Sequence, residues 1–154
     1  MKIAFGCDHA GFVFKDRLKA LIERLGHTVV DYGTNSQEPV DYPLYIRPAA
    51  AAVVTGAADR AIVLGGSGNG EAIVANRIAG MRCTLCWSAY TAEVARRHND
   101  SNCLSIGTRT ITVDLAEEIV RIWLETPFDG GRHARRIAEI DDPNAGTKAP
   151  DAGP

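Results

Sequence analysis

Seven consecutive residues, Gly65-Gly66-Ser67-Gly68-Asn69-Gly70-Glu71, set four glycines and a carboxylate between the apolar run Ala61-Ile62-Val63-Leu64 and the helix-like run Ala72-Ile73-Val74-Ala75. The pattern reads as a strand, a glycine loop and a helix start. Glycines let the backbone turn sharply and bring its N–H groups close to a ligand, and a helix N-terminus adds positive partial charge facing any oxyanion. Glu71 stands at that anion site, so the loop suits a reaction in which negative charge develops beside a base. A turn with a purely geometric role would need only one or two glycines.

Three other groups of residues can carry chemistry. Asp8-His9-Ala10-Gly11 directly follows a first apolar strand, where Asp8 can cap the next helix, face a ligand, or do both. His98-Asn99 closes a helix just before another strand: His98 fits either a cation on the helix dipole or a general acid, with Asn99 as a neighbouring hydrogen-bonding group. In Arg132-His133-Ala134-Arg135-Arg136, the i, i+4 spacing puts Arg132 and Arg136 on one helix face. Two such guanidinium forks suit a phosphate monoester, although a solvated basic face would read the same way. Arg109 follows the last strand and can converge on the same anion, and Tyr42 lies in a polar Asp-Tyr-Pro loop.

The elements that must position these groups follow from the pattern of the whole chain. At 154 residues it fits one domain with a real core. Its net charge of -2 gives no reason to expect nonspecific nucleic-acid binding. No apolar run approaches the roughly 18 residues of a membrane span, and the N-terminus enters a strand rather than a signal peptide, so the cytoplasm is the expected compartment. Short β-rich runs (Lys2–Gly6, Thr28–Tyr32, Ala61–Leu64, Arg82–Trp87, Leu104–Ile106) alternate with helical segments (Phe12–Leu25, Tyr45–Thr55, Glu71–Ile78, Ala89–Arg97, Thr112–Leu124, Arg132–Ile140). This predicts an α/β protein with a doubly wound five-stranded parallel sheet in three α/β/α layers, its ligand crevice beyond the carboxyl ends of the strands. The domain is expected over 1–140, with Asp141 to Pro154 a flexible tail. Cys83 and Cys86 form a C-x-x-C within an apolar run and lack a second close pair, so all four cysteines are read as buried thiols rather than metal ligands. Trp87, Trp123 and the phenylalanines are read as packing residues.

Gly6-Cys7-Asp8-His9-Ala10-Gly11, Asp41-Tyr42-Pro43, Gly65-Gly66-Ser67-Gly68-Asn69-Gly70, Arg97-His98-Asn99-Asp100 and Gly130-Gly131-Arg132-His133 together closely resemble the type B ribose-5-phosphate isomerase family, which includes the galactose-6-phosphate isomerase subunits. The resemblance runs from Met1 to about Ile140 with the five motifs in order. It implies a metal-free, cofactor-free aldose–ketose isomerase on a Rossmann-like fold. It makes Asp8 and His98 the pair that opens the sugar ring, assigns His9, Arg109, Arg132 and Arg136 to the phosphate and Asn99 to sugar hydroxyls, and lines the pocket with Tyr42. It further implies a homodimer, or a tetramer built from dimers, with each site shared across a two-fold axis: the glycine loop from one subunit, His98 and the arginines from its partner. Many family members carry a catalytic cysteine where Gly65 stands. A second branch uses the loop glutamate, and Glu71 matches it.

On this reading Glu71 shuttles a proton between carbons 1 and 2, while Ser67 and the backbone around Gly66, Gly68, Asn69 and Gly70 hold the enediolate. The helix terminus would lower the Glu71 pKa and burial would raise it. The same chemistry on a tetrose, allose or galactose phosphate is the alternative within the enzyme class. A non-catalytic phosphate- or nucleotide-binding module is the alternative outside it, although the loop lacks both the P-loop Lys-Ser/Thr and the Gly-x-Gly-x-x-Gly spacing.

Overall fold

The computed structural model describes residues 1–146. Lys2–Cys7 (β1), Thr28–Asp31 (β2), Arg60–Gly65 (β3), Cys83–Leu85 (β4) and Cys103–Gly107 (β5) pair in parallel in the order β2-β1-β3-β5-β4. Helices Phe12–Arg24 (α1), Pro43–Val54 (α2), Asn69–Asn76 (α3), Ala89–Asn99 (α4), Val113–Glu125 (α5) and Arg132–Ala138 (α6) connect and follow the strands. The five-stranded parallel sheet with helices on both faces is the architecture read from the sequence.

Strand alternation sorts the core into two unlike halves. Ile3, Phe5, Ile62, Leu64, Leu104 and Ile106 point to one face, where they meet Leu18, Ile22, Ile119 and the fully buried Trp123 from α1 and α5. Ala4, Ala61, Val63 and Cys103 point to the other, where α2 and α3 supply Ile46, Ala49, Ala50, Val74 and Ala75. Small residues on this second face let the helices lie close: a β-carbon at Gly6 would stand 3.0 Å from both the Ala49 β-carbon and the Tyr45 carbonyl.

The direction of each crossover explains which helices share a face. α1 and α4 carry the chain one way along the sheet, α2 and α3 the other, and right-handed crossovers then place the two pairs on opposite sides. The sheet order reverses at β1, so a crevice opens between the carboxyl ends of β1 and β3. There the two chains run very close. The Asp8 N–H donates to the Leu64 carbonyl, and a β-carbon at Gly11 would fall 2.5 Å from that same oxygen.

Local details differ from the sequence expectations at several ends. α2 begins at Pro43, whose ring fits the first helical turn, rather than at Tyr45. α3 begins at Asn69, two residues earlier than expected, because Gly68 takes a left-handed φ of 79° and starts the helix there. Ser88 caps α4, and Thr91 at its third position returns the bond to the Ser88 N–H in a reciprocal capping box. Trp87 departs from its expected core role. β4 ends at Leu85, and Trp87, beyond the last paired residue, is 57% exposed. The four cysteines are free and buried. Of the tail expected from Asp141 onward, residues 147–154 lie outside the described residues. The preceding stretch starts with an anchor, the Asp141 carboxylate accepting from the Gly80 N–H at 3.1 Å.

Candidate active site

Glu71 is the third residue of α3, yet its side chain turns back over the end of β3 rather than out to solvent. Its carboxylate lies against the Gly65 α-carbon so closely that a β-carbon there would be 1.9 Å from Oε1 and 2.2 Å from the carboxyl carbon. The carboxylate therefore occupies the volume that any side chain at 65 would claim. Burial is the main reason its pKa lies above the usual glutamate value, with the nearby Asp8 charge adding to the rise. Hydrogen bonds from its own N–H and that of Gly68 pull the other way. Between helix terminus and burial, burial wins.

Asp8, also buried, spends one oxygen on the turn into α1: Oδ1 accepts from the Gly11 N–H at 2.8 Å. Asp8 thus braces the turn before α1, whose N-cap residue is Gly11 and which has no side-chain cap, and its charge reaches Glu71. His9 lies beside it, Nδ1 3.9 Å from Asp8 Oδ2. His9 and Arg109 line one cavity of about 320 Å³ with Ala10, Val13, Gln37 and Thr108. The strand ends fix Arg109 in this place. Its N–H donates to the Gly66 carbonyl at 3.0 Å, and its guanidinium passes next to the Gly66 α-carbon.

The glycine loop is held from three sides. Ser105 Oγ donates to the Gly68 carbonyl at 2.7 Å, Thr108 Oγ1 bridges the Ala10 and Gly65 carbonyls, and the Tyr42 ring covers Gly70. Ser67 is exposed, its Oγ accepting from the Asn69 N–H at 3.3 Å. At Gly68 the positive φ coincides with a close approach, since a β-carbon would meet Leu85 at 2.5 Å. Gly68→Ala is expected to lose stability and to shift the Glu71 N–H cradle together, readable as a lower Tm and a lower kcat in the same variant.

His98, Asn99, Arg132 and Arg136 do not join this group within one chain. α4 runs back from the carboxyl to the amino edge of the sheet, so His98 and Asn99 emerge at the opposite end from the crevice. The Arg82 side chain, just ahead of β4, donates there to the carbonyls of Asn99 and Asp100. His98, Asn99 and Arg136 line their own cavity of about 410 Å³ with His133, Ile137 and Ile140. Arg132 and Arg136 sit one turn apart on α6, both exposed.

His133 is a member of this second cluster that the sequence reading did not assign. Its buried ring stacks on His98, with centroids 4.4 Å apart and planes within 4°. Burial lowers its pKa first, and His98, Arg132 and Arg136 lower it further. The one available signal was its place inside the Gly130-Gly131-Arg132-His133 motif. Asp129 completes a set of three metal-type donors with the two histidines, within 4.8 Å of one another. The set does not suit a cation: parallel rings aim their lone pairs side by side rather than at one point, and Arg97 holds the Asp129 carboxylate at 3.1 Å. The stacked rings and arginines suit an anion instead.

Cys7, at the end of β1, is not a candidate base. Burial pushes its thiol up to about 12.

A parallel sheet carrying a buried carboxylate and a glycine loop at its switch point defines an α/β enzyme, and comparison with known proteins gives its class as sugar isomerase. The model of the family described as Ribose/Galactose Isomerase matches residues 3–140, and the chain belongs to that family. It is 44% identical over 139 residues to ribose-5-phosphate isomerase B of Escherichia coli K12, covering 90% of this chain and 93% of that protein. Identity to ribose-5-phosphate isomerase B of Mycobacterium tuberculosis H37Rv is 42% over 139 residues, covering 89% of this chain and 86% of the relative. Among solved structures, ribose-5-phosphate isomerase B of Clostridium thermocellum superposes with a TM-score of 0.89 at 43% identity, covering 91% of this chain and 95% of the other.

Proposed function

We propose that this protein interconverts ribose 5-phosphate and ribulose 5-phosphate through an enediolate, with Glu71 as the base. The observation that carries this reading is the Glu71 carboxylate seated over the Gly65 α-carbon, buried and raised in pKa, in the crevice beside Asp8. Such a carboxylate is a stronger base than an exposed glutamate and is held at one place. In the open-chain sugar it takes the C2 proton, electron density moves onto the C1 oxygen, and the loop N–H groups and Ser67 stabilise that oxygen. Return of the proton to C1, with the hydroxyl proton passing from O2 to O1, completes the ketose. Asp8 and His98 open the sugar ring beforehand.

His9 and Arg109 hold the substrate beside the loop, while Arg132 and Arg136 bind the phosphate and Asn99 a sugar hydroxyl. Because the two clusters lie at opposite ends of one sheet, a working site takes the crevice of one subunit and the His98 cluster of another. Exposed Ile73 on α3, between the two clusters, is an apolar residue that such a homodimer would cover. The four buried free thiols suit a reducing compartment such as the cytoplasm.

Turnover measured across four-, five- and six-carbon aldose phosphates tests the substrate. The five-carbon phosphate is expected to be fastest, and a faster tetrose, allose or galactose phosphate would replace it as the assignment. Mixing tests the shared site. Glu71→Gln and His98→Asn homodimers are each expected to fail on cyclic ribose 5-phosphate. After subunit exchange, about half the dimers are mixed and each has one intact site, so about a quarter of wild-type activity should return. No recovery, with exchange verified by mass, rules sharing out.

A further inference from the structure

The loop between β2 and α2 is tied down at both ends, and what ties it bears on His9. At its start, the Tyr32 and Thr34 N–H groups donate to the Phe5 and Cys7 carbonyls, so the loop continues along β1 toward the crevice. Lys15 of α1, only 2% exposed, then clamps it. Its ammonium donates to the Thr34 carbonyl at 2.7 Å and the Asn35 side-chain oxygen at 3.0 Å, and pairs with Asp31 at 2.9 Å. A buried ammonium whose donors are all engaged fixes the backbone it touches, since releasing that backbone would strand the charge. After an exposed stretch from Asn35 to Pro39, the chain returns, and the Val40 N–H donates to His9 Nδ1 at 3.2 Å.

That last bond has a chemical consequence. A ring nitrogen that accepts from a backbone N–H carries no proton, so the ring proton must sit on Nε2. Nδ1 is thereby used up within the protein, and the cavity that His9 shares with Arg109 and Gln37 is offered an Nε2–H donor. A donor is what a phosphate or hydroxyl oxygen requires. The alternative tautomer would present a lone pair and repel it.

We infer that Lys15 is a positioning residue: through the loop it clamps, it holds the Val40 N–H on His9 Nδ1 and so keeps His9 in the Nε2–H form that donates to the substrate. The inference rests on His9 contacting the substrate, as proposed above, but the tautomer can be read without any substrate or turnover. Failure of one therefore leaves the other standing.

The test is ¹⁵N NMR of the histidine side chains in the full-length protein, with His9 assigned by His9→Asn. Wild type is expected to show His9 with a protonated Nε2 and a bare Nδ1. Val40→Pro removes the donor N–H, and Lys15→Met keeps most of the side-chain volume but loses the clamp. Either is expected to convert His9 to a mixture of tautomers and to weaken inorganic phosphate binding by about tenfold, the worth of one hydrogen bond to a charged group. The signals of His27, which precedes β2 and bonds the N-terminal amino group, should not move. An Nδ1–H tautomer in wild type, or an unchanged His9 signature in a folded variant, overturns the inference. If Lys15→Met does not fold, Asn35→Ala, which removes only the clamp's side-chain acceptor, takes its place, and an unchanged His9 signature there overturns the role of Lys15.

Discussion

Glu71→Gln is expected to cut kcat on every accepted sugar phosphate by about two to four orders of magnitude, the range for loss of a positioned general base. KM should change little, because glutamine keeps the shape of the side chain and the phosphate contacts lie elsewhere. The same substitution is expected to stabilise the protein. In the folded state the Glu71 carboxyl holds its proton more tightly than in the unfolded chain, because burial penalises the ionised form. Folding then becomes less favourable as pH rises from the ordinary glutamate range through the raised folded value, and the penalty persists at neutral pH. Glutamine never ionises, so the variant should melt above wild type at pH 7 and 8, and the gap should close as pH falls below about 4.5, the ordinary glutamate value. The wild-type pH profile should agree, with the acidic limb of kcat/KM lying above the usual glutamate range. A Glu71→Gln enzyme that keeps wild-type turnover would remove Glu71 from the mechanism.

Gly65→Ala should come close to the same loss by adding one methyl group. The new β-carbon would stand 1.9 Å from Oε1 of Glu71, so the carboxylate must leave its position over the strand end. Neither backbone strain nor φ enters here; only volume does. Overpacking of this kind costs about 1–3 kcal/mol in stability, and the displaced carboxylate is no longer aligned with the substrate carbon. The two residues should therefore couple strongly. Gly65→Ala placed in a Glu71→Ala background is expected to cost little further stability, because the shortened side chain has vacated the space. A double-mutant cycle on Tm and unfolding free energy reads this directly, and additive effects would show that the contact is not what sets the carboxylate's place.

Much of this arrangement was legible in the chain itself. Alternation of apolar runs gave five strands, and the glycine loop between the run ending at Leu64 and the helix carrying Val74 could be located without coordinates. Asp8, Glu71 and the loop fall together because strand ends in a parallel sheet share an edge. What the sequence could not reveal depends on packing across long separations. Trp87 belongs to an apolar run, but whether it is covered depends on where the edge strand β4 stops pairing, and it stops two residues earlier. His133 meets His98 only because α6 docks against the end of α4, thirty-five positions away in the chain. The separation of the His98 cluster from the crevice is equally a matter of topology. Lying just before a strand places a residue at the amino edge, and the motif by itself does not disclose how far that edge lies from Glu71.

The occupation of the Gly65 side-chain volume by Glu71 also constrains how such a sequence can drift. A side chain at 65 and a carboxylate folded over it exclude each other, so a lineage that gains a side chain at 65 while Glu71 is in place must displace the carboxylate. The two positions should therefore change together or not at all, and a library randomised at both sites is expected to return active clones as linked pairs, with few drawn from either position alone.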